Sequence, residues 1–219
     1  MQRRTIVVAH YNEDLSWLTE VKDIPGTRIF VYSKAPADKL PVLPALTASP
    51  NIHFQRLPNV GREAHTYLHH IITHYDSIAS GIASEDLTNE DLLFTQGNPF
   101  DHRSRAEFFD NYVKNNNNTR TYPPSDRCAI HRCWKPYLKN VKDSGGGIGG
   151  WWAKVFPPEE PFPRTLKIIW FAIFRVKSEH ILRRPLAFYE RAIKTVNHHI
   201  DPEEGHFFER AWGNLFFMF

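Results

Sequence analysis

The chain is poor in sulfur, with two cysteines and two methionines among 219 residues. Cys128 and Cys133, in CAIHRCW, build no disulfide framework, and with His131 between them they form at most a partial metal site, short of the four ligands a structural zinc takes. Reduced thiols of a cytosolic protein are the expected state. Long apolar runs are also missing. No stretch reaches the ~18 residues that span a bilayer. The basic start, MQRRTIVVAHYNED, turns polar at Asn12, Glu13 and Asp14, too early for a signal peptide. A cytoplasmic site of action without membrane insertion is the expectation. There is no strong excess of either charge: 27 Lys and Arg face 24 Asp and Glu, and the cations are scattered along the chain. That excludes a nucleic-acid footprint and leaves phosphate on a small ligand as the better fit. Finally, GxxxxGK[ST] occurs nowhere and no GxGxxG follows the first strand, which excludes a P-loop and weakens a dinucleotide reading.

What is present is a globular composition, 42% hydrophobic and 23% charged, with an aromatic share of 14% that leaves room for stacking surfaces beside the core. The length suits a single domain. TIVVAHY (5–11), RIFVYSKA (28–35) and NIHFQRLPN (51–59) read as strands rich in β-branched and aromatic residues. NEDLSWLTEV is a short helix candidate between the first two. GREAHTYLHHIITHYDSIAS carries Ala64, Leu68, Ile71, Ile72, Tyr75 and Ile78 at helical spacing, and DLLFTQ is the fourth strand. This succession predicts an α/β fold with a mainly parallel sheet covered by helices on both faces, whose ligand sits outside the carboxyl ends of the strands. Those ends are AHYNED, YSKA, LPNVGRE and TQGNPFDH.

In the second half, AEFFDNYVK reads as a helix, NNNNTR as a polar loop, and KDSGGGIGGWWAKVFPPEEPFPR as a Gly- and Pro-rich lid carrying two tryptophans. KIIWFAIFRV (167–176) reads as one buried strand. Ser178 is a cap candidate, Pro185 opens a further helix, and EEGHFFERAWGNLFF closes the chain as a helix with Phe207, Phe208, Ala211, Leu215 and Phe216 on its apolar face.

Among twelve histidines, His65 with His69 and His70 with His74 stand at i, i+4, the spacing of zinc histidines on a helix, but the Glu of HExxH is absent. A metallohydrolase would need Asp101 or His102 to complete the site; solvated helix histidines are the alternative. NVGREAHTY (59–67) puts a glycine at a strand-to-helix junction and Arg62 at the helix N-terminus, which suits a phosphate or diphosphate, or else pairs Arg62 with Glu63 on a solvated turn.

VVAHYNEDLSWL, VYSKA, LPNVGREAHTYLHHIITHYD, LLFTQGNPFDH, FYERAI and GHFFERAW, in that order, resemble an uncharacterised-domain family of fungi and large algal viruses. One branch of it is similar to the β-xylosyltransferase that builds capsid glycans of Chlorella viruses. The resemblance implies a type-A glycosyltransferase fold, with a Rossmann-like nucleotide-sugar-binding half (1–102) and an acceptor-binding half (103–219). It implies transfer of a sugar, xylose in the viral branch, from a UDP-sugar to a hydroxyl of an oligosaccharide or glycoprotein acceptor with inversion, in the host cytoplasm if the source is viral. On the donor side it assigns His10, Tyr11, Asn12 and Glu13; Tyr32, Ser33 and Lys34; Asn59, Gly61, Arg62 and Thr66; and Gln96, Gly97 and Asn98.

Where such transferases carry Asp-x-Asp to hold Mn²⁺ or Mg²⁺ on the diphosphate, this chain has Gln96-Gly97-Asn98, and amides do not supply the anionic ligands a hard cation prefers. Asp101, with His102, is the substitute through which a cation would be held weakly; Arg62 and Lys34 are the metal-free alternative. For the base that deprotonates the acceptor, Glu209 is the first candidate, Asp101 the second, with Asp201, Glu203 and Glu204 nearby. Trp151, Trp152, Trp170 and His206 are assigned to the acceptor. A non-catalytic carbohydrate- or nucleotide-binding module of the same fold is the competing reading.

Overall fold

The computed structural model describes residues 3–36, 46, 48–83, 90–101, 103–114, 127–129, 146–163 and 165–217. Strands β1 (Arg4–His10), β2 (Thr27–Ser33), β3 (Ile52–Arg56) and β4 (Asp91–Gln96) lie parallel in the order β3-β2-β1-β4. Two short strands, β5 (Arg127–Ala129) and β6 (Thr165–Lys167), pair antiparallel in a separate sheet, and β7 (Phe174–Lys177) adds antiparallel to β4. The α/β class and the mostly parallel sheet are as the strand pattern predicts.

The sheet is a middle layer because its central strands are apolar on both faces, and the period of two then feeds alternate residues to two cores. Val7, Tyr32, Leu92, Phe94, Phe174 and Val176 join one core; Ile6, Val8, Ile29, Val31, Leu93 and Ile173 join the other. The first core is covered by α1 (Arg62–Ala83) and completed by α3 (Gly147–Val155), α4 (Ser178–Leu182), α5 (Leu186–Ile193) and α6 (Glu203–Phe217). The second is covered by the short 3₁₀ turn Ser16–Glu20 and by α2 (Arg105–Phe108), which runs on as a π-helix over Phe109–Lys114. No helix among the described residues is long and apolar enough to cross a membrane.

Charge also sits inside this frame. Asp91 and Arg175 pair within the β4–β7 edge, both side chains 6% exposed, with the buried Arg4 close enough to feel them.

Three expectations from sequence change. KIIWFAIFRV is not one strand: it breaks at the 3₁₀ turn Trp170–Ala172, where Phe171 (φ 66°) and Ala172 (φ 51°) are left-handed, so β6 and β7 belong to different sheets. The Gly-rich lid is in part the helix α3, whose Trp151 and Trp152 are 2% and 4% exposed. Their apolar surface went into the nearest core, where burying a large side chain stabilises by ~1.5–3 kcal/mol. Ser178 is the first residue of α4 and Lys177 stands at its cap. NNNNTR, His102 and Cys133 lie outside the described residues.

Candidate functional site

Because β2 and β3 lie on one side of β1 and β4 returns on the other, the strand order reverses between β1 and β4, the place where open α/β sheets leave a crevice at their carboxyl ends. A cleft of about 480 Å³ opens there. It is lined by Ala9, His10, Tyr11 and Glu13 from the end of β1, Lys34 from β2, Asn59, Arg62, Glu63 and Thr66 from the entry of α1, Gln96 from β4, and Ile200 and Asp201 from late in the chain. Eight of these were assigned to the donor from sequence: His10, Tyr11, Glu13, Lys34, Asn59, Arg62, Thr66 and Gln96.

The β1 wall is a built turn. His10 is buried, and burial lowers its pKa against the opposing pull of Glu13. Its Nε2 lies 3.3 Å from the Glu13 carbonyl, which only accepts, so Nε2 carries the proton and Nδ1 accepts from the Ser33 hydroxyl at 2.9 Å. The Glu13 carboxylate accepts from the backbone N–H of Tyr11 (2.7 Å) and Asn12 (3.1 Å) and rests on Gly97, where a Cβ would approach Oε2 to 2.6 Å. Glu13 and Gly97 thus fold the turn that presents Tyr11. Ser33 stands behind His10.

At the α1 entry, Gly61 (φ 63°) and Arg62 (φ 49°) are both left-handed. The Lys34 ammonium is buried and donates to the carbonyls of Val60 (2.6 Å) and Arg62 on either side of Gly61. Desolvation pushes its pKa down to about 7, with Glu63 opposing. Arg62 lies between Glu63 (3.5 Å) and Asp201 (3.3 Å), and the charge of Glu63 first, then Asp201, raises its pKa. Thr66 is wholly buried in the floor, and its hydroxyl finds no partner among the described residues.

The far wall comes from the α6 entry. Asp201 Oδ1 is 3.3 Å from His206 Nε2, and His206 is 3.4 Å from Arg62. Burial first, then Arg62, lowers the His206 pKa, so this imidazole is neutral near pH 7. Glu209 accepts from the Phe171 N–H (2.9 Å) and faces Arg210 (3.2 Å), while the Phe171 carbonyl accepts from the Gln96 amide (2.7 Å). The left-handed Phe171 peptide therefore ties the end of β4 to α6.

Several assigned residues stand elsewhere. Tyr32 is buried under α1 with its hydroxyl 2.8 Å from His70 Nδ1, because its place on β2 faces the helix. Asn12 is an exposed turn residue. Asn98 donates to Asp101 (2.7 Å), and the exposed Asp101 does not line the cleft, so neither a base nor a cation ligand is placed there by Asp101. Trp151 donates to Thr195 (3.1 Å) and Trp152 to the Glu160 carbonyl (2.8 Å); both are core residues and offer no face to an acceptor. Trp170 is half-buried beside the Arg210 guanidinium.

A divalent cation fits poorly. Among the described residues no three His, Cys, Asp or Glu side chains converge as ligands, and the carboxylates in the cleft are turned to donors of their own. His65 stacks on His69, and His70 meets Tyr32, which accounts for the helix histidines as packing. Sequence reasoning passed over Ile200, 59% exposed at the rim, and ranked Asp201 behind Glu209. Density of polar residues in VNHHIDPEEGH does not say which one the α1 entry will meet.

No curated protein matches the chain. Residues 6–93, from β1 into β4 and including the α1 wall of the cleft, are similar to a family described as "Protein of unknown function (DUF3431)".

Proposed function

We propose that the protein is a glycosyltransferase that moves a sugar from a UDP-sugar to a hydroxyl of a glycan, by an inverting displacement. One observation carries the reading: a single cleft at the β1–β4 reversal combines an exposed ring, Tyr11 at 41%, with two cationic side chains, Lys34 and Arg62, at the N-terminus of a long helix. A planar base stacks on Tyr11. The diphosphate meets Lys34, Arg62 and the helix N-terminus, where N–H groups and the dipole favour an anion. Ile200 and Asp201 face it from the side left for the acceptor.

The grip on the donor is cationic side chains rather than a metal cage, since the amides at the end of β4 are engaged by Phe171 and Asp101. Lys34 sharpens this. Burial lowers its pKa from 10.5 to about 7, and a diphosphate favours the charged form, so binding above pH 7 takes up a proton and weakens as pH rises.

Calorimetric titration of UDP, with Mn²⁺ and again with EDTA, tests the reading. Saturable binding retained in EDTA, weaker at pH 8.5 than at pH 6.8, is the expected result. Binding that requires Mn²⁺ overturns the metal-free grip; no binding in any condition overturns the donor reading itself.

A further inference from the structure

Three carboxylates line the cleft: Glu13 is spent on the N–H groups of Tyr11 and Asn12, Glu63 flanks Arg62 at the helix entry, and Asp201 faces them from late in the chain, paired with the cation that the donor needs. Asp201 Oδ1 lies 3.3 Å from Arg62 NH1 and 3.3 Å from His206 Nε2, and its side chain keeps 31% exposure at the rim. Glu209, the candidate from sequence, is differently placed. One of its oxygens accepts from the Phe171 N–H, the other faces Arg210, and it does not line the cleft. Glu209 holds the backbone bend at Phe171.

We infer that Asp201 is the catalytic base of the transfer and that Arg62 masks it until the donor diphosphate draws the guanidinium away. The inference rests on the UDP-sugar reading above. Arg62 is 42% exposed and contacts Asp201 at the long end of hydrogen-bond distance, so the contact is an exchangeable surface pair rather than a buried clamp. A diphosphate carries more charge than one carboxylate and accepts a guanidinium bidentately, so it wins the competition.

Once released from Arg62, Asp201 keeps His206 at 3.3 Å and stands beside Ile200, on the acceptor side. The acceptor oxygen forms a bond to the anomeric carbon, and its proton passes to the Asp201 carboxylate. The bond from that carbon to the diphosphate oxygen breaks, with the electron pair leaving on UDP against Arg62 and Lys34. Release of UDP returns Arg62 to Asp201, whose proton goes to water. The unmasked base is therefore a feature of the donor complex.

The test uses the whole chain and two readouts: UDP affinity by calorimetry, and UDP release from UDP-xylose, UDP-glucose and UDP-galactose with water as the acceptor. Asp201→Asn keeps the shape but neither the charge nor the basicity. It is expected to bind UDP about two- to fivefold more tightly, the range of a half-exposed ion pair, because Glu63 alone then competes for Arg62. It is expected to release UDP about 10²- to 10⁴-fold more slowly, the loss of a positioned base. Tighter UDP binding also shows that the variant is folded.

Unchanged or weaker UDP binding by Asp201→Asn overturns the masking. Release within about threefold of the parent overturns the base assignment, and if Glu209→Gln is then the slow variant the role passes to Glu209. A parent chain that neither binds UDP nor releases it from any of the three donors overturns the UDP-sugar reading first, and the base with it.

Discussion

Replacing Gly61 with alanine tests whether the turn that joins the two halves of the cleft is as tight as its geometry requires. Gly61 has φ 63°, its N–H donates to the His199 carbonyl (2.8 Å), and its own carbonyl accepts from His65 (3.0 Å) to start α1. A Cβ at this position would stand 2.3 Å from the Val196 carbonyl oxygen and 2.7 Å from His65 Cβ. Both neighbours are anchored close to the backbone, so neither swings aside. The left-handed conformation costs an L-residue about 1–2 kcal/mol, and crowding a packed site adds about 1–3 kcal/mol. The expected loss is therefore about 2–5 kcal/mol, a large share of the ~5–15 kcal/mol of a typical domain. Urea unfolding at fixed pH measures it. Gly150, inside α3 with nothing within 4 Å of its ideal Cβ, is the control: alanine there is expected to add about 0.5–1 kcal/mol by removing a flexible helix glycine. Gly61→Ala within about 0.5 kcal/mol of the parent, or a Gly150→Ala loss of similar size to that at Gly61, refutes the reasoning.

Two further perturbations probe the frame around the site. Under α1, burial holds His65 down at about 4 and His70 well below its ordinary value; His69, His74, Lys34 and Arg28 oppose charging there, with Glu90 pulling His74 the other way. These folded-state values lie below the unfolded 6.5, so the stability they confer is full above pH 6.5 and is lost as pH falls towards 4. Each buried histidine steepens that loss by up to ~1.4 kcal/mol per pH unit. His65→Leu should flatten the profile by about one proton between pH 6 and 4; parallel profiles for parent and variant contradict this. At the opposite edge, Asp91→Asn removes the negative charge that Arg175 meets and Arg4 feels in a buried site and should cost about 3–5 kcal/mol in thermal or urea unfolding. A loss under 1 kcal/mol would mean that solvent reaches the pair.

The parallel sheet was legible because period and composition agree in β1, β2 and β4, where Ile6, Val7, Val8, Ile29, Val31 and Leu93 are apolar whichever face they take. The strand-end wall of the cleft was legible for a related reason: carboxyl ends of parallel strands gather by topology, so naming the strands names the wall. The opposite wall was not. Asp201, Glu203, Glu204 and Glu209 are equivalent as sequence, and only the turn of the chain at 196–202 decides that Asp201 meets Arg62 while Glu209 meets Phe171. The tryptophans failed differently. Five glycines beside Trp151 and Trp152 read as a mobile lid, but four of them, Gly146, Gly147, Gly149 and Gly150, have no Cβ contact closer than 3.7 Å, so they are no record of close packing, while the indoles settled the question by burial. KIIWFAIFRV has no breaker that marks the bend at Phe171; nothing in the residue type asks for a positive φ there.

The bend at Phe171 is joined to the cleft through Gln96. Among the described residues three non-glycine positions have positive φ: Arg62, Phe171 and Ala172. Such conformations cost on the order of 1–3 kcal/mol each and persist where the surroundings over-determine them. Arg62 is held by its carbonyl, which accepts from Lys34, and by its guanidinium, which meets Asp201 and Glu63. Phe171 is held by Glu209 on its N–H and by Gln96, a cleft residue, on its carbonyl. Ala172 accepts from the Tyr67 hydroxyl of α1 (2.9 Å). Of these clamps Lys34, Glu63, Asp201 and Gln96 are groups of the cleft and Tyr67 follows the cleft residue Thr66 on α1, while Glu209 reaches Phe171 from α6. A fold that needed only to bury its two cores has cheaper ways to turn a corner after Trp170, a glycine being the first. The strain is placed where α1, β4 and α6 must be held in fixed relation, and those are the elements that bring Arg62, Gln96 and the Asp201 wall to one cleft.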